Sequence, residues 1–172
     1  MNEFIINAHF SVLTFVYIFE LALLVIILNY KGKRIEHYIL IVTILAFMLW
    51  SFTNSLFLVT SDLNTLTILG RLAFLATSIF TLALFILTIN LVGRWHKLSN
   101  LKRLFVFALP SFFILTSSTS LVYENAYTPV SGIMPGSEYG PLYTIFIAHI
   151  AVYFGVIFYI LIKDRKKLQP IR

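Results

Sequence analysis

The chain has 172 residues and no cysteine, which excludes disulfides, thiolate metal sites and thiol nucleophiles. Charge is nearly as scarce. Only 12% of residues are Asp, Glu, Lys or Arg, where soluble domains carry about 25%. Acids are rarer than bases, seven against thirteen, for a net charge of +6. In a soluble domain that balance would suggest nucleic acid. Here the bases fall in short clusters between apolar runs, the pattern of a membrane's cytoplasmic face, so no nucleic-acid partner is expected. There is no Walker loop, GxGxxG or HExxH, and His9, His37, His96 and His149 lack ligand-like spacing. No lysine lies inside an apolar run, which removes a retinal Schiff base. No metal, cofactor or catalytic activity is expected of this chain.

Apolar residues are abundant: 59% are hydrophobic and 16% aromatic. Residues 72–92, LAFLATSIFTLALFILTINLV, carry no charge and are bounded by Arg71 and Arg94. At about 1.5 Å per residue the run just crosses a hydrocarbon core of roughly 30 Å. Four further runs resemble it. The predicted fold is an all-α polytopic transmembrane bundle with spans at about 4–30, 38–60, 66–92, 104–122 and 142–162. Residues 1–172 are read as a single membrane domain. The N-terminus lacks the basic region of a cleaved signal peptide, so the first run is expected to be a retained span. Asp62 or Asn64 is placed to cap the third helix. Pro110 removes a backbone donor inside the fourth and is expected to kink it. The one long connection, 123–141, reads YENAYTPVSGIMPGSEYGP. Pro129, Gly132, Pro135-Gly136 and Gly140-Pro141 suit turns and a short hairpin, packed as a lid. No internal repeat of the transporter kind is present.

Five spans place twelve of the thirteen bases on one side. Lys31, Lys33 and Arg34 follow the first span. Arg94, Lys97, Lys102 and Arg103 follow the third. Lys163, Arg165, Lys166, Lys167 and Arg172 follow the fifth. Arg71 alone lies on the other side. The positive-inside rule then gives an external N-terminus, a cytoplasmic C-terminus and an external 123–141 loop. Single cysteines at Ser131 and Ser99 are expected to label from opposite sides.

Glu20 is the costliest residue, an acid near the middle of a span. It should face the bundle interior and be hydrogen-bonded or protonated. The functional reading is a proton-linked or ligand site; the bland one is a carboxyl bonded to a neighbouring helix. His149, with Tyr153 one turn on, invites a pH or ligand role, against a neutral histidine packed between helices. His9, Asn54, Arg71 and His149 share an outer depth and define a candidate signal pocket with Glu20 and Tyr153; for Arg71, snorkelling to head groups is the simpler reading. Gly70, Thr77, Thr81 and Thr88 fall on one face of the third span and read as a helix-packing face. Ala148, Ala151 and Gly155 read the same way in the fifth.

Two stretches carry a family resemblance. GRLAFLATSIFTLALFILTINLV (70–92) resembles the third span of the seven-transmembrane region at the N-terminus of membrane histidine kinases. GSEYGPLYTIFIAHIAVYFGVIFYILIKDRKK (136–167) resembles a later part of it, where Gly140-Pro141-Leu142-Tyr143 enters a helix after the long loop and a basic stretch follows. The resemblance implies a non-catalytic sensor or input domain in the plasma membrane of a prokaryote. It also implies a cytoplasmic effector of the kinase or diguanylate cyclase type fused downstream, and homodimers. With five spans against seven, the chain reads as an incomplete seven-span region. A small transporter or permease subunit, with Glu20, Asn54 and His149 along a substrate path, is the alternative. A purely structural membrane protein is a third reading.

Overall fold

A computed structural model describes residues 2–32, 34–127 and 136–164, the side chains of 2–7 and His96 excepted. Pro129, Ser131, Gly132 and Pro135 of the long loop lie outside the described residues, as do Lys33, Arg165, Lys166, Lys167 and Arg172.

The apolar runs form helices because a backbone in lipid must satisfy its own hydrogen bonds. α1 is Asn2–Asn29, α2 Ile35–Val59, α3 Leu63–Leu91, α4 Asn100–Ser117 and α5 Tyr143–Lys163. The ends follow local chemistry. Asp62 caps α3, accepting from Thr65 N at 2.8 Å and Thr65 Oγ1 at 2.6 Å. Those bonds, the hydroxyl first, hold its carboxyl below the usual carboxylate range. Asn64 lies inside the helix instead. At α2 the His37 ring accepts from Arg34 N at 3.0 Å and stacks on Tyr30. Ser99 caps α4. A short 3₁₀ turn, Trp95–Lys97, joins α3 to α4.

Four of the five helices, all but α4, are long and apolar enough to cross a membrane. The α4 expectation needs correction. The helix starts four residues earlier than 104 and stops at Ser117, so its first turn carries Lys102 and Arg103. Residues 118–122 leave it through a turn and lead into a strand. β1 (Tyr123–Tyr127) pairs antiparallel with β2 (Gly136–Tyr139). The expected hairpin is therefore present, though short.

α3 is the hub. It packs against α2, α4, α5 and the β1 strand, while α1 packs against α2. One apolar cluster joins Phe85, Ile89 and Val92 of α3 to Tyr153, Ile157 and Ile160 of α5. A second joins Phe113, Val122 and Phe146. Lys31, Arg34, Arg94, Lys97 and Arg103 lie at one end of the bundle, and the hairpin lies at the other. At the basic end Arg94, just past α3, is ion-paired with buried Asp164, just past α5.

The packing face of α3 is as expected in kind. Gly70, Thr81 and Thr88 are buried. The hydroxyls of Thr77, Thr81 and Thr88 each bond the carbonyl four residues back. Gly155 is a correction. It is exposed, with nothing within 4 Å of where a Cβ would sit, and Ala148 and Ala151 are exposed beside it. The inward stripe of α5 is the large one: Phe146, His149, Tyr153, Ile157 and Ile160. Those large side chains make more van der Waals contacts with the neighbouring helices than alanines would, and in lipid such packing favours this rotation.

Candidate functional site

The hairpin is held on α3 by three contacts. Arg71 donates from Nε to the Tyr123 carbonyl at 3.2 Å and from Nη2 to the Glu124 carbonyl at 2.9 Å. The strand pairing is irregular between Tyr123 and Asn125, where these carbonyls meet the guanidinium. Thr67 Oγ1 accepts from Ala126 N at 3.1 Å. The Tyr123 ring lies directly against Gly70, where any Cβ would overlap it. A lone two-stranded ribbon is marginal in water; this one is anchored to a helix. Gly140 completes the seat. Its amide donates to Val122 O, and a Cβ there would collide with the Ser120 and Leu121 backbone.

Phe74 centres an aromatic cluster above α3. Its ring meets Tyr123 at 5.7 Å, Tyr143 at 6.0 Å and Phe146 at 5.1 Å between centroids. Tyr139 stacks on Tyr143 at 3.9 Å. Burial pushes the Tyr123 phenol above its usual range, so it stays neutral.

Beneath the hairpin, between α2 and α3, lies a cavity of about 200 Å³. Trp50, Asn54 and Phe57 of α2 form one wall. Gly70, Phe74 and Thr77 of α3 form another, and Tyr123, Ser137 and Tyr139 of the hairpin border it; the cavity is half open. Among the described residues, no Asp, Glu, Lys, Arg or His lines it.

The six residues expected to form one signal pocket are not brought together. Asn54 alone lines the cavity. Arg71 follows Gly70 of the cavity wall, but its side chain reaches up to the hairpin carbonyls and does not line the cavity. Its two bonds to the hairpin carbonyls are charge-assisted on the donor side. His9 is exposed on α1.

Glu20 sits at the α1–α2 contact, 4% exposed, accepting from Ser51 Oγ at 3.2 Å. It is the one buried side chain described in α1. Ser51 also lies 3.1 Å from Phe47 O. The carboxyl is thus a seam between two helices, about 14 Å from the α1 end by helical rise. With cysteines at Tyr17 and Phe52, whose rings are 6.1 Å apart, oxidative cross-linking should report that seam. Glu20→Gln should leave the rate unchanged. Glu20→Val should slow it about 3- to 10-fold, the effect of losing about 1 kcal/mol of interhelical hydrogen bonding in lipid. Equal rates in all three would remove this role.

His149 is packed as an aromatic ring. It stacks on Phe113 at 4.9 Å and meets Tyr153 at 4.7 Å, and neither ring nitrogen has a hydrogen-bond partner among the described residues. Tyr153 donates to the Val106 carbonyl at 2.8 Å. Val106 lies four residues before Pro110, whose missing N–H would otherwise leave that carbonyl without its helical donor. Tyr153 therefore repairs α4, and it is a correction to the pocket reading. Sequence reasoning missed Trp50, Phe74, Tyr123, Ser137 and Tyr139 as cavity walls. The one available signal was the tyrosine pair flanking the long loop, which reads equally well as a membrane-interface belt.

Five helices, four able to cross a membrane, define an integral membrane protein of the all-α polytopic class. The family model described as the N-terminal 7TM region of histidine kinase matches residues 10–171, nearly the whole chain. The chain belongs to that family. No curated protein and no solved structure matches it.

Proposed function

We propose that this chain is one non-catalytic membrane domain that takes in a signal for a histidine-kinase-type or diguanylate-cyclase-type effector fused downstream. It would lie in the plasma membrane of a prokaryote, hairpin and N-terminus outside, C-terminus in the cytoplasm, working as a homodimer. Family membership supports the sensor class, and the basic end supports the orientation. The observation that carries the reading is the span of α3. One end holds the hairpin and the cavity beneath it, and the other is tied to α5 through Arg94 and Asp164. A small shift of α3 under the hairpin would reach the cytoplasmic exit of α5. A transporter path gains no support, since Glu20, Asn54 and His149 lie in three separate places.

The test joins the chain to a dimeric histidine kinase core and follows autophosphorylation in membrane vesicles. Asp164→Arg should change the output about fivefold or more, the size of an ordinary coupling energy. Arg94→Asp in the same chain should restore it. Unchanged output in both variants would sink this coupling.

A further inference from the structure

We propose that the cavity under the hairpin binds a small uncharged aromatic compound bearing one hydrogen-bonding group, a phenol or an aryl ketone. This rests on the reading above, in which that cavity receives the signal.

Size comes first. An apolar cavity of about 150 Å³ holds benzene. This one, at about 200 Å³, has room for a substituted benzene. Chemistry comes next. Trp50, Phe57, Phe74, Tyr123 and Tyr139 supply aromatic wall, and the lining offers no ionic partner. An ammonium would be desolvated without compensation, and a carboxylate would find only the Arg71 guanidinium outside the lining, already bonded to two carbonyls.

A cation–π cage is the obvious rival for so many rings. The ring faces argue against it. Tyr139 gives one face to Tyr143, and Tyr123 lays its ring on Gly70. The Arg71 guanidinium, bonded to the Tyr123 and Glu124 carbonyls, is a cation beside the roof. It would repel a second one.

The polar points are few and placed at two sides. Thr53 and Thr77 turn their hydroxyls onto helix carbonyls, which leaves them nothing to donate. Asn54 donates one Nδ2 hydrogen to Trp50 O at 2.7 Å, which leaves its second Nδ2 hydrogen to donate and its amide oxygen to accept. Across from it, Tyr123 Oη and Ser137 Oγ share one hydrogen bond of 3.2 Å. Only one of the two hydroxyl hydrogens is used there, and the other can serve a ligand. A neutral amide on one side and a spare hydroxyl hydrogen on the other, flanking aromatic walls, fit a phenol or an aryl ketone.

The protein carries its own reporter. It has two tryptophans, Trp50 in the cavity wall and Trp95 at the basic end. The chain in lipid vesicles with Trp95→Phe leaves Trp50 as the sole tryptophan, excited at wavelengths where the nine tyrosines do not absorb. The probe is 4-bromophenol, a heavy-atom quencher. Trp50→Phe, leaving Trp95, measures quenching by partition into lipid. Saturable quenching of Trp50, over a linear background at Trp95, is expected. Asn54→Leu should weaken the apparent affinity about fivefold or more, the loss of one ligand hydrogen bond. Ala73→Leu, which fills the cavity, should abolish saturation, and unaltered circular dichroism checks that either variant folds. The charged analogues 4-bromobenzoate and 4-bromobenzylammonium should give no saturable component.

Linear quenching equal to that at Trp95 would overturn the proposal, as would saturable binding of either charged analogue. So would saturable quenching by a bromolipid that 4-bromophenol fails to displace, which makes the occupant an acyl chain. None of these outcomes touches the Arg94–Asp164 coupling, so the ligand class and the sensor reading fail separately.

Discussion

Tyr153→Phe should destabilise the bundle by about 1–2 kcal/mol, and most of that cost should vanish when Pro110 is also replaced by alanine. The reason is one carbonyl. Pro110 has no N–H, so Val106 O has no donor four residues on. Tyr153 supplies one at 2.8 Å from the neighbouring helix. Phenylalanine keeps the packing against Phe85 and His149 but strands the carbonyl where water is scarce. Alanine at position 110 restores the helical N–H, so the hydroxyl becomes redundant. Pro110 is fully buried, so Pro110→Ala also leaves a void with its own cost. That cost is common to both members of the Pro110→Ala pair and cancels in the cycle. Thermal unfolding of the four proteins in detergent measures it. Equal losses for Tyr153→Phe in both backgrounds would show that the hydrogen bond is not a repair.

Gly70→Val should cost about 2–3 kcal/mol and release the hairpin from α3. Two effects compete. Replacing a helical glycine gains up to about 1 kcal/mol of propensity. Against this, the new Cβ falls inside the Tyr123 ring, which is 2% exposed and backed by Phe74 and Ser137. The ring can yield only toward the cavity it lines, and doing so breaks its bond with Ser137 and its contact with Phe74, so the clash wins. Hydrogen exchange should then quicken at the amides of 123–127. Tyr123→Ala in the same chain makes room and should recover at least about 1 kcal/mol, because the two sites touch and their effects are not additive. Protected amides in Gly70→Val would contradict this seat.

Both expectations pair residues that lie far apart in sequence, and this marks where sequence reasoning stopped. Helix existence was legible, because long uncharged runs between basic clusters have one stable form in lipid. Boundaries came within a few residues except in α4, where Lys102 and Arg103 were taken as loop but form a capped first turn. The hairpin was legible from its turn residues. The rotation of α5 was not. A small-residue stripe and a large-residue stripe share that helix, and only the neighbours decide which turns inward. Pro110 announced a missing donor, but its replacement lies 43 positions later in the chain. Arg71 was legible as an expensive cation at a span's end. That its acceptors are the carbonyls of an irregular strand was invisible until the loop folded back.

The central claim is that α3 links the hairpin to the cytoplasmic end. The absence of native cysteine permits a direct measurement. Cysteines at Thr67 and Ala126, whose side chain and amide meet at 3.1 Å, can be joined through two disulfides by a short bis-methanethiosulfonate in vesicles carrying the kinase fusion. With the hairpin locked to α3, signal-dependent change in autophosphorylation should fall about fivefold or more, and reductive release should bring it back. Complete cross-linking with the same signal response as the reduced protein would contradict the account.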